Sequence, residues 1–585
     1  VQILKSPIIR WVFVLGWFLG VGGLTFLWHL GSVALIDETE PIFAETARQM
    51  LERGDWLTPI FNDDLRFDKP PLVYWLIALC YQVVGVNEWA ARLPSALSAI
   101  AVMAGCFYVL WHFGRNSLDR PTQGDRWLLA TLGAGVMALN PLMLAWGRVA
   151  VADLVLVGTL SLSLLSFFIG YTQTHQPRIQ KYWFAGFYSC LGLAILAKGP
   201  VAIALEIPIV LGFVYYCGNL SQVWRELWPL RGTLLTLAIA LPWFVWATLQ
   251  HGKLFIDQFF VYHNLERFTS VVSRHGGGWY YYLLVLLVGF MPWSAFLPGA
   301  IAHLRLHRRR QWQQVERSQH LGIFAFFWLA SVFVFFTVAS TKLPSYILPL
   351  IPPAAILVAQ FSSAFASSIG LPVRRWWLMV SGGVSALLFA AIATIFVYLP
   401  GVLSQNPANA RFLPLLLAAD VPFRGMFLGG AIGLAIGLLL ITRKPQWLWL
   451  PNLTGMLGLT GLVIVPLIQV VDLERQQPLK QLAQQVKRER QPGEELYMLG
   501  HRKSSVVFYS EDTVHFVRKR RHIAELVRET QTPSASLLIL AKTEAIPNLK
   551  LVTNSYQVMG QAGQYSLIRA ARAPFHQHRD SSVSR

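Results

Sequence analysis

Charge is what this chain has least of. Only 14% of its 585 residues are Asp, Glu, Lys or Arg, and the mean hydropathy is +0.47, whereas roughly a quarter of a soluble globular domain is charged. That scarcity excludes an ordinary water-soluble enzyme. Cysteine is scarce too: Cys80, Cys106, Cys190 and Cys217 lie in or beside apolar segments, with no paired or metal-ligand spacing, which argues against a disulfide framework. Acidic residues number 30 against 49 basic ones, a net charge of +19. The basic residues nevertheless fall in short loops between apolar runs and not on one folded soluble face, which argues against a nucleic-acid partner. A glycine-rich nucleotide loop is also missing. Gly276-Gly277-Gly278 has no strand before it and no Lys-Ser/Thr after it, so it reads as a hinge, and a soluble nucleotide-sugar substrate is disfavoured.

What fills the chain is apolar sequence. Trp11 to Leu30, Leu154 to Tyr171 and Trp376 to Tyr398 are each long enough as a helix to cross a hydrocarbon core of ~30 Å. Lys5 and Arg10 precede the first run without a small-residue cleavage pattern behind it, so it reads as an uncleaved anchor. Treating every apolar run as a span conflicts with the bias of Lys and Arg towards the cytoplasm. If Val73 to Val84 crossed, the loop carrying Arg305, Arg308, Arg309, Arg310 and Arg317 would lie outside. Pro70–Gly85 is short for a span and carries Tyr74, Trp75, Tyr81 and Gln82, so it is expected to be interfacial or re-entrant.

Thirteen spans then remain, at 11–30, 93–113, 127–146, 152–171, 182–197, 200–217, 232–250, 279–300, 320–340, 345–366, 376–399, 425–442 and 449–471. With a cytoplasmic N-terminus all the basic loops fall inside: Arg115, Arg120 and Arg126; Arg178 and Lys181; Arg225 and Arg231; the arginine cluster; Arg374 and Arg375; Arg443 and Lys444. Outside falls 31–91, with ten Asp/Glu against four Lys/Arg. The expected fold class is therefore an all-α polytopic membrane protein of about thirteen transmembrane helices, residues 1–471, followed by a small extracytoplasmic α/β domain, 472–572. Helical patterns are expected there near 475–490 and 521–531. Strands are expected at Glu495–Leu499, Ser505–Tyr509, Ser536–Leu540 and Leu551–Tyr556. Residues 573–585 are expected to be a disordered tail.

The ionisable residues worth singling out lie on the outer side. Asp37-Glu38-Thr39-Glu40-Pro41 opens an amphipathic stretch carrying Phe43, Ala47, Met50 and Leu51 and closed by Gly54, a helix on the membrane surface. Asp37 there either serves the helix N-terminus or waits for a substrate hydroxyl as a general base. Asp68-Lys69-Pro70-Pro71 sets a carboxylate and an ammonium before a rigid entry into the interfacial segment. Lys69, Lys342 and Arg267 either anchor at headgroups or stabilise a phosphate leaving group. Asp153 lies at a span boundary, where its charge is costly unless it is functional or paired with Arg148. His263 is either an interfacial histidine or a ligand.

Taken together, DETEPIFAE, FDKPPLVYW, RLPSAL from Arg92, AKGP from Ala197, HNLERF, YYLLVLLVGFMPWS from Tyr281 and TKLPSYILPLIPP from Thr341 resemble the lipid A aminoarabinose transferases. More distantly they resemble the dolichyl-phosphate-mannose–protein mannosyltransferases, within the GT-C superfamily of multi-span glycosyltransferases. The resemblance covers roughly 30–400. It implies transfer of a hexosyl or pentosyl group from a polyprenyl-phosphate carrier, such as undecaprenyl phosphate, to a lipid, glycan or protein, in lipid A modification or protein O-glycosylation at a cell inner membrane. It further implies that Asp37 and Asp153 are catalytic carboxylates and that Lys69 and Tyr346 hold the carrier phosphate, with Arg267 and Lys342 nearby. Asp68 and His263 match positions that hold a divalent metal, Zn or Mg/Mn, in some relatives. Asp68 stands where the aminoarabinose enzymes usually carry glutamate, and Pro41 where an aromatic is common. A secondary transporter would instead show inverted repeats and mid-membrane polar residues, and a lipid-linked polysaccharide ligase or polymerase would carry its arginines in a large late outer loop.

Overall fold

A computed structural model describes residues 7–114, 123–270, 276–366, 372–405, 411–529, 534–549, 551 and 555–576. The chain forms two compact units. One comprises Val1–Leu30, Phe67–Leu76 and Arg92–Pro466; the other comprises Gly31–Arg66, Ile77–Ala91 and Leu467–Arg585.

The first unit is helical. Among the described residues eight helices are long and apolar enough to cross a membrane, and a ninth candidate is the pair Tyr281–Gly289 and Trp293–His303, bent by 112°. Each of the remaining expected segments also contains a helix: Trp11–Leu27, Arg126–Ala138, Pro177–Lys198 and Val201–Cys217. The chain is a multi-pass membrane protein with a small β-containing domain at its C-terminus. The expected interfacial segment is a helix, Leu72–Val84, of 13 residues, about 20 Å long at 1.5 Å per residue and so too short to span. Of the basic loop residues, Arg115 and Arg120 lie outside the described residues.

Helix Ala152–Thr172 runs through the middle of this unit, buried over most of its length. It packs closely on helix Glu88–Phe113, because a side chain at Gly158 would meet Ser98 Cβ at 2.9 Å. Two arginines close the end of the first helical stretch: Arg148 donates to the carbonyls of Thr25 (2.9 Å) and Trp28 (2.7 Å), and Arg92 to that of Leu30 (2.8 Å). On the arginine loop, Arg309 donates to the carbonyls of Tyr216 and Tyr215, the C-terminal end of Val201–Cys217. Tyr171, His320 and Asn219 form a chain of hydrogen bonds beside it, with His320 Nε2 on the Trp312 carbonyl.

The second unit joins distant stretches of sequence. Helix Glu40–Arg53 has Pro41 in its first turn and ends on Gly54 in the left-handed region (φ 68°), as its sequence signals require. A hairpin follows, β1 (Ile60–Phe61) and β2 (Asp64–Leu65), turned by Asn62 and Asp63 with positive φ. The Asn62 side chain pairs with the Val514 backbone through both its groups.

Among the described residues the C-terminal sheet has five strands: β3 (Leu496–Leu499), β4 (Val514–Val517), β5 (Ser536–Lys542), β6 (Tyr556–Ala562) and β7 (Tyr565–Ala571). They lie in the order β4-β3-β5-β7-β6, with β4, β3 and β5 parallel and β7 and β6 antiparallel. Helices Gln477–Glu489 and Arg520–Glu529 match the expected helical stretches. Ser505–Tyr509, expected as a strand, lies instead in a helix, Ser504–Ser510, buried along its whole length; its short apolar run reads the same way in either state. Of the strand expected at Leu551–Tyr556, residues 552–554 lie outside the described residues and Tyr556 opens β6; β4 and β7 were not anticipated. Phe575 is fully buried, in a short helix Ala573–His576. The packed chain therefore extends past 572, and the rest of the expected tail, 577–585, lies outside the described residues.

Candidate active site

The first unit holds a cavity of about 490 Å³ that gathers residues from six separate stretches of sequence. Asp68 and Lys69 enter from the segment before Pro70-Pro71, and Asp153 from the first turn of Ala152–Thr172. Lys198 is the last residue of its helix, and Tyr346 sits in the turn Pro344–Leu350. His263 and Arg267 come from the π-helical stretch Ile256–Glu266 and the residue after it. Much of the remaining wall is apolar, with Leu156, Phe260, Phe335, Phe336 and Pro349.

Asp153 does not pair with Arg148, whose guanidinium is engaged by the carbonyls of Thr25 and Trp28. Its partner is Lys198, at 2.7 Å, both side chains less than one-fifth exposed. The Lys198 ammonium also lies 5.0 Å over the Tyr346 ring, close enough for a cation–π contact. Lys198 was not singled out from sequence. Its signal was present in AKGP, a lysine closing an apolar helix where an unpaired charge is costly. The Lys69 ammonium donates to the Asp68 carbonyl (2.7 Å), and the Tyr74 hydroxyl donates to the Asp68 carboxylate (3.2 Å). Arg267 Nε is buried and makes no hydrogen bond among the described residues, so a donor stands ready for an anionic oxygen in the cavity.

Lys342 lies apart from this lining. Its buried ammonium donates to the carbonyls of Thr337 (2.7 Å), Ala339 (3.0 Å) and Phe336 (3.4 Å), which closes the C-terminal end of Leu321–Val338. Asp68 and His263 do line one cavity, but two donors fall short of the three that a catalytic zinc takes from protein. Among the described residues no group of three or more His, Cys, Asp and Glu could hold an ion. Asp153, the other carboxylate of the lining, is tied to Lys198. These side chains do not by themselves build a zinc site.

Asp37 belongs to the second unit. It does not cap the helix that follows it: its carboxylate accepts from the Ser505 backbone N–H (2.9 Å) and hydroxyl (2.6 Å). Burial pushes its carboxyl above the usual carboxylate range, opposed by the two Ser505 hydrogen bonds and by the charge of Lys503. Ser505 could not be paired with Asp37 from sequence, being 468 positions away.

The sequence pattern of the dolichyl-phosphate-mannose-protein mannosyltransferases matches residues 68–246, and that of the cyanobacterial RgtA-type glycosyltransferase C-terminal domain matches 489–584. The undecaprenyl phosphate-alpha-4-amino-4-deoxy-L-arabinose arabinosyl transferase of Shewanella sediminis is 29% identical over 74% of this chain and 76% of its own length. That of an Enterobacter species is 29% identical over 73% and 71%. Among solved structures, ArnT from Cupriavidus metallidurans bound to undecaprenyl phosphate superposes with a TM-score of 0.75 at 21% identity, covering 96% of this chain and 98% of that one. The Archaeoglobus fulgidus oligosaccharyltransferase in the apo form shares less of the fold, with a TM-score of 0.51 at 11% identity over 93% and 72%. With its helical bundle, its cavity and its C-terminal domain accounted for, the chain is a GT-C glycosyltransferase that resembles the aminoarabinose transferases.

Proposed function

We propose that this chain transfers a glycosyl group from a polyprenyl-phosphate carrier to an acceptor at the extracytoplasmic face of a cell inner membrane, with its N-terminus in the cytoplasm. The observation that carries this is one cavity holding Lys69, Lys198 and Arg267 beside Tyr346, against an apolar wall. Three cations suit the phosphate of the carrier. The apolar wall suits an isoprenoid chain. The names of the relatives favour undecaprenyl phosphate as the carrier and a pentosyl group as the sugar.

In this scheme an acceptor oxygen attacks C1 of the sugar while the bond from C1 to the phosphate oxygen breaks, with inversion. The electron pair of that bond stays on the carrier phosphate, where Lys69, Lys198 and Arg267 offset the charge and Tyr346 donates a hydrogen bond. Asp153 holds Lys198 in place. Asp37 accepts the proton of the acceptor, a role suited by the raised basicity that burial gives its carboxylate. No step runs through an ion at Asp68 and His263, so turnover is expected to survive chelation. Loss of turnover on chelation, with metal content that falls in His263→Ala, would put the ion into the reaction.

The test of the function is mass spectrometry of membrane lipids and glycans from cells with and without the gene. Loss of one sugar from an acceptor together with accumulation of its carrier-linked form is expected. Unchanged profiles of both would overturn the proposal.

A further inference from the structure

The C-terminal unit pairs most of the cations on its helix and sheet flanks. Lys480 meets Glu88, Lys487 meets Glu511, Arg490 meets Asp512, Arg569 meets Glu494 and Arg572 meets Glu495. One edge departs from this habit. The parallel strands β4, β3 and β5 are in register at Val517, Leu499 and Ala541, so their chains leave the sheet side by side. The next residues are Arg518-Lys519 after β4, Gly500-His501-Arg502-Lys503 after β3, and Lys542 closing β5. Arg502, Lys503, Arg518, Lys519 and Lys542 have no carboxylate within ion-pair distance among the described residues. They are exposed or half-buried, so solvent reaches them.

Topology makes this edge a place for a ligand. The chain passes from β3 to β4 on one side and then returns across β3 to β5 on the other. The loops after β3 and β5 therefore part in opposite directions. Open parallel sheets bind ligands at the carboxyl ends of their strands where the order reverses in this way. Gly500, with φ +89° and open space around it, starts the β3 loop and donates its N–H to the Val517 carbonyl (2.8 Å). Desolvation and the charges of Lys542 and Lys503 hold the His501 imidazole below its ordinary range, so both lysines act on the one ring that the β3 loop presents. The acidic group tied to the edge is Asp37, bonded to Ser505 two residues beyond Lys503.

We propose that the carboxyl edge of β4, β3 and β5 binds the phosphate of an anionic lipid headgroup and docks the acceptor beside Asp37. The assignment to the acceptor rests on the proposed role of Asp37 as the acceptor's base. The anion site itself does not.

Binding is measured by calorimetry on the purified full chain in neutral detergent, without sugar donor, so that the outcome is independent of whether the chain transfers sugar. The probes are short-chain phosphatidic acid, short-chain phosphatidylcholine and inorganic phosphate. Phosphatidic acid is expected to bind, at least tenfold more tightly than phosphatidylcholine, and to weaken at least tenfold in Arg502→Gln/Lys503→Gln/Lys542→Gln. The exposed control Arg488→Gln, on the helix Gln477–Glu489, should bind like the parent chain, and Arg502→Gln/Lys503→Arg/Lys542→Gln should recover part of the loss. Equal binding of phosphatidic acid by the parent and the triple variant, at unchanged melting temperature, would overturn the site. Inorganic phosphate binding as tightly as phosphatidic acid would overturn the lipid assignment.

Discussion

The Asp153–Lys198 pair separates a catalytic cation from a structural one. At 2.7 Å the gross attraction is roughly 6 kcal/mol at an effective dielectric of about 20, before desolvation is subtracted. Breaking a fully buried pair costs about 3–5 kcal/mol. Here both side chains keep some solvent, 15% and 19% exposed, so about 1–3 kcal/mol of stability is expected to go. Lys198→Met keeps the stem and removes the charge, leaving Asp153 without its partner. Asp153→Asn/Lys198→Met removes both charges and should recover most of that stability. Turnover is expected to part from stability. If Lys198 offsets charge on the leaving phosphate, its loss removes about 3 kcal/mol from the transition state, on the order of a hundredfold in rate, and the double variant does not restore it. The assay is release of free carrier phosphate from a carrier-linked sugar, read beside thermal melting for both variants and the parent. A double variant that turns over within about twofold of the parent would reduce Lys198 to a partner for Asp153 and refute its place in the reaction.

Asp37→Asn and Ser505→Ala should behave differently: the first is expected to abolish turnover, and the second, which removes one of two hydrogen bonds, to lower it by about tenfold or less. Equal effects would mean that Asp37 only holds Ser505. Because the folded carboxyl of Asp37 lies above its ordinary range, its protonated form is favoured on folding. Its ionisation therefore costs stability as pH rises above about 4, and Asp37→Asn should melt at or above the parent temperature at neutral pH. In a cysteine-free background, single cysteines at Ser32 and Gln476 should react with an impermeant thiol reagent from outside and one at Gln313 should not; the reverse pattern would invert the topology.

The helical bundle was legible because its signals are local. Apolar length sets the spans, and the basic loops sorted them without contradiction once Pro70–Gly85, expected to be interfacial or re-entrant, was set aside; in the structure that segment holds a 13-residue helix, Leu72–Val84. The cavity was partly legible: Asp68, Lys69, Asp153, His263, Arg267 and Tyr346 all line it, each being an ionisable or aromatic residue that the sequence puts in an outer loop or at an outer span boundary. What could not be read were partners. Arg148 was the near neighbour of Asp153 in sequence, but, four residues before the helix start at Ala152, it reaches other carbonyls, and the ion pair comes from Lys198, 45 positions on. Lys342 looked like Lys69 in sequence because both precede proline-rich turns, and only the surrounding carbonyls show that it closes a helix end. In the C-terminal domain the short run Ser504–Ser510 carries no period long enough to tell strand from helix.

The hydrogen bonds from Ser505 to Asp37 join residues 468 positions apart, and that distance is also an interval of time. At roughly 5–20 residues per second a ribosome needs about 25–90 s to travel it. During that interval the nascent chain holds its cation-lined pocket residues, which end at Pro349, well before the acidic loop of residues 31–66 can find the domain it folds with. The carboxylate proposed to activate the acceptor is fixed only after the last candidate span, Pro445–Arg475, has been made. An incomplete chain, stalled or truncated before Ser505, would thus carry its donor-side residues without an anchored Asp37, and synthesis itself sets the moment at which the two halves of the proposed chemistry are both present.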